Sequence, residues 1–254
     1  ISIMTLGKPG SGKTYSLFGD ISYVDDSVSF ENNGIELLAI EQLFSVTKHR
    51  AERYKDTFYL SIVEVSGSNE RVLDLMAGTK KGEQFGEIIV ADYSKKSKRK
   101  NGEEEDMKST KLEIRADVHG ETVIQGLLSV QVNDFDDFCT IWKDCLSLRR
   151  ERLLEQGVDP AKYESSCHTI ATLKVKSVNL ATGLGNAGKI QFVDLAGINL
   201  IPSASSSDNK STVSLQELTI SISGEKDSGW AFENRSIQKL GEVIVARSQY
   251  SRSV

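Results

Sequence analysis

Eight residues near the amino end can do a specific piece of chemistry. Gly7-Lys8-Pro9-Gly10-Ser11-Gly12-Lys13-Thr14 spells a complete G-x-x-x-x-G-K-T loop. Glycines at this spacing allow a tight bend whose backbone N–H groups converge on the α- and β-phosphates of a nucleotide. The lysine adds a point charge for the β- and γ-phosphates, and the threonine hydroxyl is a ligand for Mg2+. A β-prone apolar run, Ile1-Ser2-Ile3-Met4-Thr5-Leu6, leads in, and a helix-compatible stretch follows. The bland alternative is a Gly-rich strand-to-helix turn with no ligand; the length and setting of the motif weigh against it. A second group, Asp194-Leu195-Ala196-Gly197, closes the apolar run ending at Val193. An Asp at a strand end beside a phosphate loop can hold Mg2+ through water. A Gly three residues later can offer its N–H to a γ-phosphate without steric cost. D-x-x-G alone is weak; paired with the loop it points to a nucleotide switch.

These groups need elements to position them. Phe58–Val65 reads as a strand, Leu112–Arg115 as a short strand, and Thr122–Val132 as strand broken by Gly126. His168–Asn179 and Lys189–Asp194 read as strands joined by the Gly-rich stretch 182–188, which predicts a β-hairpin. Gly34–Lys48 places Leu37, Ile40, Leu43 and Phe44 on one helical face. Asp134–Leu154 predicts a long amphipathic helix with Phe135, Phe138, Ile141, Trp142 and Cys145 on or near one face and Asp134 as its cap. Asn234–Ala246 returns to helical spacing. Residues 20–33 are polar and acidic and read as a loop, and 69–76 as a short helical or turn segment. Basic Lys95–Lys100 beside acidic Glu103–Asp106 makes 91–110 a solvated, disordered insertion, and Ser-rich 198–233 a long loop. Alternating strands and helices predict an α/β layer fold with a mainly parallel or mixed sheet, its phosphate ligand at the carboxyl ends of the strands.

The 254 residues make one large domain or two small ones, and 39% hydrophobic with 26% charged residues is ordinary for a soluble globular protein. A net charge of −5 argues against whole-surface attraction to nucleic acid. No apolar run approaches the roughly 20 residues of a membrane helix, and no signal peptide is visible. Three cysteines, Cys139, Cys145 and Cys167, point to a reduced, intracellular compartment rather than a disulfide framework. Cys139 and Cys145 lack metal-ligand spacing and read as buried or half-buried helix positions. The chain starts without Met inside a core-like strand, which reads as a fragment.

The motifs together resemble the kinesin motor domain. Gly12-Lys13-Thr14-Tyr15-Ser16-Leu17-Phe18-Gly19 is similar to that family's G-K-T-Y-T-M-x-G. Gly34-Ile35 with Glu41-Gln42-Leu43-Phe44 resembles G-I-I-P…Q-I-F, and Glu64-Val65 with Asn69–Leu75 resembles E-I-Y-N-E-R-V-R-D-L-L. Leu112–Arg115 with Gly126-Leu127, Lys189–Gly197 and Asn234–Ile244 match L-x-I-R-E…V-x-G-L, G-K-L-x-L-V-D-L-A-G and N-K-S-L-S-A-L-G-x-V-I in family order. The resemblance implies a three-layer P-loop NTPase fold with a central mixed, mainly parallel sheet flanked by helices. It implies one partial motor domain over 1–254, with the family's first strand and the segments after the last helix lying outside. It implies ATP and Mg2+ as ligands, microtubules (tubulin) as partner, neither membrane nor nucleic acid, a cytoplasmic, cytoskeletal location, and oligomerisation set by other regions.

Site residues carry over one by one. Gly7, Lys8, Pro9, Gly10, Ser11, Gly12, Lys13 and Thr14 hold the nucleotide; Tyr15 either flanks the adenine or packs as a helix-start aromatic. Thr14, Asp194 and Ser165 are assigned to the metal, and Ser165, Ser166 and Gly197 to catalysis. The family's first switch, N-x-x-S-S-R-S-H, corresponds here to Ala161-Lys162-Tyr163-Glu164-Ser165-Ser166-Cys167-His168, so without a gap Ser166 replaces the Arg. A one-residue deletion would keep Ser165-Ser166 as the S-S pair and still lose the Arg. In the second switch, D-L-A-G-S-E, the Glu becomes Asn199. In the family that Arg and Glu pair to close the site. Losing both avoids an unpaired buried charge but leaves at most a neutral, weaker hydrogen bond. Two functions follow as alternatives: a microtubule-stimulated ATPase that drives movement, or a divergent non-motile module that binds nucleotide or microtubules with little hydrolysis. His168 reads as a structural histidine, His49 and His119 as surface residues, and Trp142 and Trp230 as packing residues.

Overall fold

The computed structural model describes all residues except 25–26, 67–70, 89–111, 119, 165, 198–234 and 251–254. The expected insertion at 91–110 and loop at 198–233 therefore lie outside the described residues, as do Trp230, Asn199 and the side chain of His119. In chain order the elements are β1 (Ser2–Thr5), α1 (Lys13–Phe18), β2 (Asp20–Val24), β3 (Ser27–Glu31), α2 (Ile35–His49), β4 (Tyr54–Ser66) and β5 (Arg71–Asp74). There follow α3 (Lys80–Phe85), β6 (Glu87–Ile88), β7 (Glu113–Ala116), β8 (Thr122–Gln125), β9 (Leu128–Val132) and α4 (Phe135–Glu155). The last are α5 (Pro160–Glu164), β10 (Cys167–Asn179), β11 (Gly185–Asp194) and α6 (Arg235–Tyr250).

β4 and β10 are the spine. They pair antiparallel from Cys167↔Ser66 to Asn179↔Tyr54, and β11 folds back on β10 as the predicted hairpin. β1 joins the far side of β11 in parallel, which gives the order β1-β11-β10-β4-β9-β6 with β5 on β4. The sheet is mixed and helix-flanked as expected, but its balance lies toward antiparallel pairs. Among the described pairings only β1·β11 is parallel, because β4, β5 and β9, and again β10 and β11, reverse on their neighbours.

Alternation along β4 turns Phe58, Leu60 and Ile62 to one buried face. Against it lie Ala171 and Leu173 of β10, Phe192 of β11, Val130 and Val132 of β9, and the stripe Phe138, Ile141, Trp142 and Cys145 of α4. Leu37, Ile40 and Phe44 of α2 complete this core, and Phe18 meets Trp142 edge-on at 4.9 Å between ring centroids. Asp134 caps α4 as predicted, its side chain accepting from the Asp137 N–H at 2.8 Å.

Two local readings are corrected. Residues 20–33 are not simply loop: β2 and β3 form an antiparallel hairpin from Asp20↔Glu31 to Val24↔Ser27. Its acidic ends concealed Ile21, Tyr23, Val28 and Phe30, which join the core. The 69–76 segment is not helical in its described part. Arg71–Asp74 is a strand on β4, because Val72 and Leu73 continue the sheet. The short α3 and β6 were not anticipated.

Candidate nucleotide and metal site

β1 delivers the chain to the loop at the sheet end where β11 finishes, since Thr5 lies opposite Asp194 in the parallel register. The loop turns through Gly10 at φ 72° and Gly12 at φ 81°, left-handed conformations that favour glycine. A Cβ on either would meet open space, so it is the backbone conformation and not crowding that favours glycine there. α1 starts at once, with Ser16 N–H donating to Gly12 O at 2.8 Å. Lys13 Nζ donates to Lys8 O at 2.9 Å. Burial pulls the Lys13 pKa down, and the Asp194 charge opposes that shift.

The two motifs meet at Asp194. Thr14 Oγ1 donates to Asp194 Oδ2 at 2.5 Å across 180 residues of sequence. Thr5 Oγ1 donates to the other oxygen at 2.9 Å. Gly197 packs so closely on the loop that a Cβ there would come within 2.5 Å of Pro9 Cγ. Any larger residue would push the second motif off the first. A hydroxyl and a carboxylate beside an amine suit Mg2+, which takes one or two protein oxygens and completes its shell with phosphate and water. No cluster of three or more His, Cys, Asp or Glu side chains able to hold a metal occurs among the described residues.

Tyr15 is 55% exposed, which removes the reading of it as a packed aromatic. Ser165 lies outside the described residues. Ser166 is at the surface, with Oγ donating to Tyr163 O at 2.8 Å. His168 is structural as expected: it is buried, and its Nδ1 accepts from the Ala196 N–H at 3.0 Å, tying the head of β10 to the second motif. That bond places the proton of the neutral ring on Nε2. His49 is at the surface, and Trp142 is packed. Cys139 is half-buried and Cys145 buried, and burial raises both thiols, Cys139 to about 11.

Three buried charged groups beside this site were missed. Glu64 is the next core-facing position after Phe58, Leu60 and Ile62 on β4. Arg149 continues the α4 stripe seven residues after Trp142, and Glu36 stands four residues before Ile40 on the inner face of α2. Periodicity marked all three, and only their polarity kept them off the list of core positions. Trp142 Nε1–H donates to Glu36 Oε1 at 2.9 Å, while Glu36 Oε2 has no hydrogen-bond partner. Burial lifts the Glu36 pKa to about 8; the Trp142 bond opposes this and the Asp194 charge adds to it. A narrow cavity of about 30 Å3 runs between Thr14, Thr169, Asp194, Trp142 and Arg149.

A strand–loop–helix that bends around open backbone, with a carboxylate from a neighbouring strand on its threonine, defines a P-loop nucleoside-triphosphatase fold. The kinesin motor domain family model matches residues 1–254, and the chain belongs to that family. Kinesin-like protein KIN-14R of Arabidopsis thaliana is 24% identical over 254 residues, covering 100% of this chain and 18% of that protein. Kinesin-like protein klp-3 of Caenorhabditis elegans is 24% identical over 254 residues, covering 100% and 32%. The structure of a fast kinesin aligns with TM-score 0.56 at 18% identity over 87% of this chain and 50% of that one. The motor domain of the kinesin-like protein Kar3 of Saccharomyces cerevisiae aligns at 0.50 with 19% identity, over 82% and 48%. The chain thus spans a third or less of these curated relatives and about half of these solved structures.

Proposed function

We propose that residues 1–254 are part of one kinesin motor domain that binds ATP with Mg2+ and couples its hydrolysis to movement on microtubules, at the cytoskeleton. The observation that carries this reading is the contact of Thr14 with Asp194. The parallel pairing of β1 with β11 brings the two motifs together and leaves a hard-oxygen pair beside a lysine. In this reading the backbone from Gly7 to Gly12, including Lys8, Pro9, Gly10 and Ser11, cradles the phosphates. Lys13 neutralises their charge, and exposed Tyr15 flanks the base. Thr14, Asp194 and Ser165 hold the cation, and Gly197 offers its N–H to the γ-phosphate. The cation, when bound, offsets charge on the transferring phosphate. A fluorescent-nucleotide titration tests the site. Lys13→Ala weakens binding at least about tenfold, one charge-assisted contact's worth; equal affinity in wild type and variant rules the site out.

The second reading is slow turnover. In the ungapped alignment Ser166 takes the place of the family's latch arginine, in the gapped one the arginine is lost outright, and the Ser166 hydroxyl is satisfied locally on Tyr163 O. A neutral surface serine cannot supply the charged clamp that aligns γ-phosphate, cation and water. On this reading the full-length motor binds ATP but hydrolyses it slowly with weak microtubule stimulation. Ser166→Arg with Asn199→Glu then raises turnover more than either single change, since each alone adds an unpaired charge. Brisk microtubule-stimulated ATPase activity in the wild type overturns it.

A further inference from the structure

The core-facing row of β4 ends on Glu64, which is 1% exposed, and the buried stripe of α4 carries Arg149 opposite it. Arg149 Nε pairs with Glu64 Oε2 at 2.6 Å. The other carboxylate oxygen accepts from the Tyr163 hydroxyl at 3.0 Å, and the Arg149 guanidinium carbon lies 5.9 Å from the centroid of the Tyr163 ring. Both oxygens of a buried carboxylate are therefore used, one by α4 and one by α5.

Tyr163 is also the hub of its own segment. Its N–H donates to Asp159 O at 3.0 Å, and its carbonyl accepts from both the N–H and the hydroxyl of Ser166, at 3.0 and 2.8 Å. Fixing the Tyr163 side chain thus ties down Asp159 and Ser166, which bond to its backbone. Ser166 leads into Cys167 and His168, and His168 holds the backbone of Ala196. Arg149 in turn lines the narrow cavity shared with Thr14 and Asp194.

Buried ion pairs contribute little net stability against an apolar replacement, but breaking one is costly, which makes them good at fixing a single arrangement. A five-residue helix such as α5 has almost no stability of its own, so its position comes from what it docks on.

We infer that Glu64, Arg149 and Tyr163 are positioning residues that dock the 159–164 segment in one place whether or not nucleotide is bound, in the role left open by the missing arginine–glutamate latch. The inference rests on the reading above of that segment as the first switch. It gives the segment a fixed placement maintained by protein groups alone, where a nucleotide-gated switch would need its ligand to be ordered.

Amide hydrogen exchange on the full chain tests it, with and without saturating Mg2+ and a non-hydrolysable ATP analogue. In the wild type, peptides spanning 159–164 change less than threefold on adding the analogue. In Tyr163→Phe, which removes a single oxygen, the same peptides exchange at least tenfold faster without nucleotide, and the analogue slows them again by more than tenfold. Peptides from β4 and the middle of α4 stay within twofold and report that the fold is intact. Glu64→Gln, which keeps an acceptor for the tyrosine but loses the charge facing Arg149, gives an intermediate increase. Wild-type peptides that slow tenfold with the analogue, or Tyr163→Phe peptides that match wild type without it, overturn the inference. If the wild type fails to bind the fluorescent nucleotide, the nucleotide reading falls, while the comparison of the two proteins without ligand still decides the docking.

Discussion

The phosphate-loop corner and the β4–α4–α5 corner sit side by side and treat charge in opposite ways. At the first, Thr14 and Tyr15 are exposed and Lys13 is half-buried. At the second, Glu64 and Arg149 are 1% and 8% exposed and form an ion pair. The contrast separates two uses of a polar residue. Groups kept open to a ligand contribute little to folding, and groups closed on one another position the chain without touching the ligand.

The largest effect that can break this contrast comes from cutting the closed pair. Arg149→Ala leaves Glu64 charged and buried and should lower folding stability by about 3–5 kcal/mol, whereas Lys13→Ala costs less than about 0.5. Urea denaturation of both reads the difference, and a loss below about 1 kcal/mol for Arg149→Ala would make the corners alike. Adding Glu64→Gln to Arg149→Met should restore most of the loss, because the buried charge leaves with its partner.

Glu36 sharpens the comparison, since it is buried with no counter-charge among the described residues. Its folded-state carboxyl keeps its proton up to about 8, while the unfolded chain releases it at the ordinary value near 4.5. The folded state binds more protons between those values, so stability falls as pH rises through that window. Glu36→Gln should remove this fall. The variant gains on the order of 4–5 kcal/mol over wild type at pH 9 and almost nothing at pH 4.5. Parallel pH profiles for the two proteins would show that Glu36 is not the source.

The smallest effect is local to α4. Asp134→Ala removes the cap on the Asp137 N–H and should cost about 1 kcal/mol, seen as a lower midpoint with an unchanged denaturant slope. A cost above about 2 kcal/mol would mean that the start of α4 braces the buried pair as well as itself.

These cases also show what could be read in advance. The meeting of Thr14 with Asp194 and of Gly197 with the loop was legible because the two motifs restrict residue type and spacing, and the hairpin was legible from two apolar runs around a Gly-rich stretch. Asp134 was legible because a cap is a local device. Glu64, Arg149 and Glu36 lay on the same periodicities as their apolar neighbours, but a charged letter at a core position normally marks the outside. Their burial depends on partners 85, 14 and 106 residues away, taking Glu64 to Arg149, Arg149 to Tyr163 and Glu36 to Trp142. The β2–β3 hairpin was hidden for a related reason, as its acidic rim masked an alternation only four or five residues long.

The β10–β11 hairpin puts the head of β10 and Asp194 at one end and its turn at the other, ten rungs away from Thr169↔Asp194 to Val178↔Gly185. At about 3.4 Å per rung the tip stands roughly 30 Å from the phosphate loop. Opening the chain between Ala181 and Gly183 would therefore leave both pieces with intact strands. One would carry Lys13, Thr14 and His168, and the other Asp194, Ala196 and Gly197. The pieces would have to rejoin along the β10–β11 and β1–β11 edges to bring Thr14 back to Asp194, which, on the nucleotide reading proposed above, would make this fold a two-part reporter whose assembly answers to nucleotide.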